Sequence, residues 1–416
     1  MIERMNKILM IADDLTGALD TGVAFASAGI ATCVGEGSYF TDSVQTANCS
    51  VQVTVIPTRH MVKEEAYHWV YDVAAKAKKA GFTCIFKKID SALRGNVGAE
   101  LAATLAATGE KTLYLVPAFP KMNRVTRQGV QYIDGAVPVA QSVFGKDPFN
   151  PVHHSSLAEV IAETASVAVF PGSTAQTEYP EGIAVFDAQT EEDVRTNAAY
   201  IFREQKASLV SGCAGLAAAI PEVLDFPATT AERIFVPEKL IVFCGSVNPI
   251  SIGQCTRAEQ EGAPRFHLLG KDAPAPQQLA EQIAEAAQNH RITILDTGSA
   301  DVQAGPADVA ECGKRVAGQM AEAICGVSSR ISDVTLFIIG GDTLIALIHR
   351  LKIETIIPVA ELLPGVVLAK YSLGGKWQYL ISKSGGFGEP DLLEEVSLRL
   401  ALLGQGTANG GGLAKK

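Results

Sequence analysis

Two adjacent carboxylates, Asp13 and Asp14, end the apolar run Ile8-Leu9-Met10-Ile11-Ala12 and precede Leu15-Thr16-Gly17. Like charges side by side raise each other's free energy, and a cation, a metal or a hydroxyl-rich ligand offsets that cost. The plainer alternative is that Asp14 or Thr16 caps the helix that follows. An aspartyl-phosphate nucleophile of the haloacid type needs Asp-x-Asp-x-Thr after such a strand. Here the second Asp is adjacent, which argues against that chemistry.

A second junction, Phe86-Lys87-Lys88-Ile89-Asp90-Ser91-Ala92-Leu93-Arg94-Gly95, again places charge after a strand-like run. Strand alternation sends Lys87 and Lys88 to opposite faces. If a helix begins near Ser91, Asp90 and Arg94 meet on one side of it. An ordinary Asp–Arg pair at a helix end is the bland alternative. A third junction, Val116-Pro117-Ala118-Phe119-Pro120-Lys121-Met122-Asn123-Arg124, has the same form. Residues 85–128 hold seven Lys and Arg against three Asp and Glu, in a chain whose net charge is −10. A basic pocket for a carboxylate or phosphate accounts for this, because Arg binds such groups two-fold.

Glycine turns follow three strand-like runs in the second half: Gly245-Ser246, Gly340-Gly341-Asp342-Thr343 and Ser384-Gly385-Gly386. Glycine lets a ligand approach the backbone, and a helix N-terminus favours phosphate charge. Three such turns in one domain point to a nucleotide. No GxxxxGK[ST], GxGxxG or GxSxG occurs, which removes the P-loop, Rossmann and nucleophile-elbow fingerprints. The seven histidines show no metal-like clustering.

The elements that must position these residues alternate. Strand candidates at Lys7–Ala12, Val51–Ile56, Thr83–Lys88 and Thr112–Val116 are separated by helical stretches such as Val62–Ala80 and Gly98–Ala107. The pattern restarts at Leu240–Cys244, Arg291–Asp296, Val334–Ile339 and Trp377–Ser382. This predicts two α/β domains with mostly parallel sheets. Ser156 and Glu159 have capping-box spacing, and Trp69 and Tyr71 read as packing residues of their helix. The expected boundaries are a first domain over 1–226, a linker over 227–239, a second domain over 240–403 and a flexible tail over 404–416.

Composition narrows the class. The chain has 416 residues, 47% of them hydrophobic and 19% charged. That excludes a disordered chain, and the acidic balance disfavours nucleic acid as a partner. Eight cysteines without CxxC spacing read as free thiols of a reducing compartment. With no apolar stretch of spanning length and no signal-peptide pattern, the expectation is a cytoplasmic protein without a membrane partner, with homo-oligomerisation left open.

IADDLTGALDTG (Ile11–Gly22), KKIDSALRGNVGAE (Lys87–Glu100) and VPAFPKMNR (Val116–Arg124) resemble the four-carbon acid sugar kinase family. GGDT (Gly340–Thr343), LPGV (Leu363–Val366) and SKSGGFG (Ser382–Gly388) resemble its C-terminal signatures. The resemblance covers the chain to about residue 403, departing at Ala92, Asn123 and Leu344. It implies an N-terminal sugar-acid-binding domain, a C-terminal nucleotide-binding domain and an active site in the interdomain cleft. Members use ATP to phosphorylate the terminal (C4) hydroxyl of D-threonate, D-erythronate, L-threonate or 3-oxo-tetronate. By this resemblance Asp13, Asp14, Lys88, Asp90, Ser91, Arg94 and Arg124 line the sugar-acid side. Ser246, Gly340, Gly341, Asp342, Thr343 and Gly385 lie on the nucleotide side.

Both lines of reading then give one mechanism. Arg94, Lys88 and Arg124 hold the substrate carboxylate, and an aspartate orients or deprotonates the hydroxyl. ATP with Mg2+ sits on the glycine turns, and positioning and charge neutralisation supply most of the catalysis. The base is open among Asp13, Asp14, Asp20 and Asp90. Two rival readings are a sugar-acid oxidoreductase or epimerase, which needs a dinucleotide fingerprint, and a non-catalytic sugar-acid sensor, which leaves the glycine turns unused.

Overall fold

The computed structural model describes residues 7–37, 49–147, 150–227, 236–270, 273–298 and 306–404. Residues 228–235 of the expected linker and 405–416 of the expected tail lie outside these. The chain divides into two compact units, Met1–Thr229 and Thr230–Lys416.

The first unit contains β1 (Ile8–Ala12), α1 (Leu15–Ser27), β2 (Thr32–Glu36), β3 (Val51–Val55), α2 (Lys63–Lys79), β4 (Cys84–Lys88), α3 (Val97–Thr108) and β5 (Thr112–Val116). Then come β6 (Val125–Arg127), β7 (Val130–Ile133), β8 (Val137–Pro138), α4 (Leu157–Ala162), β9 (Val169–Pro171), β10 (Gly182–Val185), α5 (Glu191–Ala199), β11 (Leu209–Gly212) and α6 (Ala214–Val223). Strand order in its main sheet is β2-β3-β1-β4-β11-β5-β10-β9, with every pairing parallel. Strands β1, β4 and β5 are buried throughout, as parallel strands covered on both faces must be. A small antiparallel sheet, β6-β7-β8, stands apart.

Helices α1 and α5 pack on α6, whereas α2 and α4 pack on α3. Right-handed crossovers put these two groups on opposite faces, because β1-α1-β2 and β4-α3-β5 run toward opposite edges. The chain therefore leaves β1 for one face and its neighbour β4 for the other. The crevice between their carboxyl ends is a topological switch point, where ligands of α/β sheets bind. Register keeps the strand ends level: Ile11 lies opposite Lys87, and Lys88 opposite Gly212.

The second unit contains β12 (Leu240–Cys244), α7 (Pro249–Gln260), β13 (Arg265–His267), α8 (Pro276–Asn289), β14 (Ile292–Asp296), α9 (Pro306–Ser328), β15 (Thr335–Ile339) and α10 (Gly341–Leu351). It closes with β16 (Ile356–Leu363), β17 (Val366–Leu373), β18 (Lys376–Lys383) and α11 (Leu392–Gly404). Its strand order is β13-β14-β12-β15-β18-β17-β16, parallel through β18 and antiparallel thereafter. Helix α7 packs with α11, and α9 with α8 and α10. A second switch point thus lies between β12 and β15.

Three local expectations are corrected. Ser156 makes no side-chain cap at α4; the capping box forms at α5, between Thr190 and Asp193. Trp69 and Tyr71 are 48% and 38% exposed, because the buried stripe of α2 is Ala66, Val70, Val73, Ala74 and Ala77. No helix begins at Ser91: residues 91–95 form a turn, with Leu93 and Gly95 at positive φ, and α3 starts at Val97. All eight cysteines are free thiols, and no helix among the described residues is long and apolar enough to cross a membrane.

Candidate active site

The first switch point gathers charge. Strand β1 delivers Asp13 and Asp14, and β4 delivers Lys88. Lys88 Nζ lies 3.0 Å from Asp13 Oδ1 and 2.8 Å from Asp14 Oδ2. Arg59 adds a second cation. Its Nε donates to Asp13 Oδ2 at 2.8 Å, and its Nη2 reaches Asp13, Asp14 and, at 3.9 Å, Asp90. Asp90 holds Arg94 two-fold, through Nε at 2.8 Å and Nη2 at 3.1 Å. The expected Asp90–Arg94 pair therefore forms, built on a turn rather than a helix.

Asp14 performs both roles weighed from the sequence. Its Oδ1 caps α1 by accepting from Gly17 N–H at 2.6 Å and from the Thr16 hydroxyl at 2.8 Å, while Oδ2 faces the two cations. Burial pushes its carboxyl upward, but Arg59 and Lys88 outweigh that and hold it well below the usual carboxylate range. Burial likewise raises Asp90, and Arg94 and Arg59 bring it down. Burial works against the charge of Lys88, whereas Asp13 and Asp14 raise its pKa above the ordinary lysine value. Three aspartates against Lys88, Arg59 and Arg94 make a charge-balanced network.

Arg124, which follows the turn after β5, is buried and donates to the Ser91 hydroxyl. Arg94 and Arg124 both stack on Phe144, their guanidinium carbons 5.1 and 5.2 Å from the ring centre. The structure thus brings Asp13, Asp14, Lys88, Asp90, Ser91, Arg94 and Arg124 to one end of one sheet. Sequence reading missed Arg59 and Phe144. Arg59 sits in the turn Thr58–His60, between β3 and α2, so the strand–turn–helix rule applied to β3 would have found it.

The second switch point is glycine-built. Gly340 has φ 118°, a backbone conformation that favours glycine, and no side chain caps α10 behind it. The first N–H groups of that 11-residue helix are of the kind that bind anions. Gly385, after β18, lies against the loop after β12: a Cβ there would come 2.1 Å from Ser246 Oγ. Thr343 is buried and Asp342 exposed on the first turn of α10. Lys383, also missed from the sequence, braces the loop from within. Its Nζ donates to Phe387 O at 2.9 Å and to Ser251 Oγ at 3.1 Å, and burial pushes its pKa down to about 8. Among the described residues no group of three or more His, Cys, Asp or Glu could cage a metal.

A family model for a sugar-binding N-terminal domain matches residues 8–220, and one for a nucleotide-binding C-terminal domain matches residues 241–393. The D-threonate kinase of Salmonella typhimurium is 28% identical over 93% of this chain and 96% of its own. The D-threonate kinase of Bordetella bronchiseptica is 30% identical over 92% and 95%, and the D-erythronate kinase of Heliobacterium modesticaldum 27% over 93% and 95%. A solved structure from Salmonella typhimurium shares the fold, with a TM-score of 0.74 at 22% identity over 95% of this chain and 98% of the other.

Proposed function

We propose, because this chain belongs to the four-carbon acid sugar kinase family and is a phosphotransferase with an alcohol group as acceptor, that it uses ATP to phosphorylate the terminal C4 hydroxyl of a four-carbon sugar acid such as D-threonate, D-erythronate or 3-oxo-tetronate. The observation that carries this reading is the charge-balanced cluster of Asp13, Asp14, Lys88, Arg59, Asp90 and Arg94 at the first switch point. Carboxylates accept from hydroxyls and cations donate to them, so a polyhydroxy acid finds partners throughout.

Arg94 and Arg124, each over the Phe144 ring, hold the acid's carboxylate, and Lys88 and Ser91 hold its hydroxyls. Acceptor sites and neighbouring charge narrow the choice of base among the three aspartates of the cluster. A carboxylate oxygen takes about two hydrogens. Both oxygens of Asp14 are filled, by Thr16 and Gly17 on one side and by Arg59 and Lys88 on the other. Asp90 Oδ2 is filled by the Arg94 N–H and Nε, and its Oδ1 keeps one acceptor site but is turned to Nη2 of the same fork. Asp13 Oδ1 meets Lys88 alone among the described residues, so its open acceptor site lies beside an ammonium that can steady a developing alkoxide. Asp13 therefore orients the reacting hydroxyl and takes its proton, and Lys88 steadies the oxygen as charge develops.

Ser246, the start of α10 from Gly340 to Thr343 and Gly385 hold the nucleotide's phosphates. Asp342, exposed on the first turn of α10, is the carboxylate that would help hold Mg2+ beside those phosphates. The ion neutralises phosphate charge when bound. Gly385→Ala pushes the Ser246 hydroxyl aside, so KM for ATP rises while KM for the acid holds; steady-state kinetics with each substrate varied checks this. The proposal itself is tested by ADP release with a panel of four-carbon acids. Turnover of at least one acid supports it, whereas ATP binding without turnover of any favours the sensor reading.

A further inference from the structure

Beneath the charge cluster lies a buried acid that the chemistry above does not use. Glu100, in the first turn of α3, is 2% exposed, and it joins three segments that carry site residues. Its Oε2 lies 2.7 Å from Nζ of the fully buried Lys87. Lys87 also donates to the carbonyl of Ile11 at 3.2 Å, two residues before Asp13, and to that of Lys88 at 2.6 Å. Glu100 Oε1 accepts from the hydroxyl of Thr58, the residue before Arg59. The same turn is tied down by Asn96, whose amide donates to Thr58 O and Met61 O, both at 2.9 Å.

A buried ion pair of this kind is weak evidence for stability, since desolvation consumes most of its Coulomb energy, and apolar residues of similar volume often serve as well. Its connections suggest a different use. We propose that Glu100 is a positioning residue: through Thr58 it fixes Arg59, and through Lys87 it fixes the ends of β1 and β4, so that Arg59 and Lys88 meet Asp13 and Asp14 in one geometry. The inference rests on the reading of that cluster as the acid site, because displacements of about 1 Å there cost up to about 10²-fold in rate.

Removing Glu100 alone strands Lys87 in the core, so the test uses the double variant Lys87→Met with Glu100→Leu, together with Thr58→Val and Thr58→Ser. The double variant is expected to stay folded and lose roughly 10–100-fold in kcat, with KM for ATP unchanged. Thr58→Val is expected to lose several-fold in kcat, and Thr58→Ser, which keeps the hydroxyl, to recover it. Wild-type kcat in a folded double variant overturns the inference, as does equal activity of Thr58→Val and Thr58→Ser. A crystal structure of the double variant reads the geometry without any turnover. Arg59 displaced from Asp13 and Asp14 supports the inference. Arg59 unmoved overturns it, whichever acid the wild-type protein accepts or refuses.

Discussion

Asp13→Asn is expected to lower kcat by roughly 10²–10⁴-fold while KM for ATP changes little. The argument is local. Asn keeps the shape of the side chain and one acceptor oxygen but cannot take a proton, so binding partly survives and transfer does not. Asp14→Asn should behave differently, because Asp14 is committed to Gly17, Thr16, Arg59 and Lys88. Asn still caps α1 through its amide oxygen, but it turns an NH2 toward Arg59 and Lys88, so the replacement lowers stability while leaving the base in place. Single-turnover kinetics beside thermal unfolding separates the two variants. Equal kcat for Asp13→Asn and wild type would remove Asp13 from the chemistry.

Lys88→Met is expected to have the largest effect on the folded state. Lys88 is 5% exposed and serves two aspartates. Breaking a buried pair by removing one partner costs about 3–5 kcal/mol, since the other charge stays buried. The sign of the pH effect follows from Asp14. Its folded-state pKa lies below the unfolded value, so the stability it contributes is present above the unfolded pKa, about 4, and disappears as pH falls through the folded value. Loss of Lys88 moves that carboxyl upward, and the variant should unfold at a higher pH than wild type in an acid titration followed by circular dichroism. Coincident acid transitions would show that Lys88 does not hold Asp14 down.

Much of this site was legible from local sequence because each part is a strand followed at once by a polar turn. Asp13 and Asp14, Asp90 to Arg94, and Gly340 to Thr343 all announce themselves that way. Arg59 gives only a weak signal of the same form, a single Arg in the turn after β3, and the residues it meets, Asp13 and Asp14, lie 46 and 45 residues away in the chain. Only the order β3-β1-β4 brings it there, and strand order is a long-range property. Helix α6 escaped notice because it is apolar on all sides and carries Pro221 inside it. The hairpin β16-β17 was obscured by Pro358 and continuous apolar runs, although Gly365, at φ 72°, marks its turn. The exposure of Trp69 and Tyr71 was hidden by aromatic character, which outweighed the helical phase set by Val70 and Val73.

The claim that the acid belongs to the first unit and the nucleotide to the second is tested most directly by crossed calorimetric titrations of D-threonate and ADP. Wild type, Arg124→Met and Gly385→Ala are compared. The account predicts that Arg124→Met weakens D-threonate binding by roughly 10–100-fold, the worth of a charged hydrogen bond, and leaves ADP unchanged. It predicts that Gly385→Ala does the reverse. Folded variants in which Arg124→Met weakens ADP, or Gly385→Ala weakens the acid, to the same extent would contradict it.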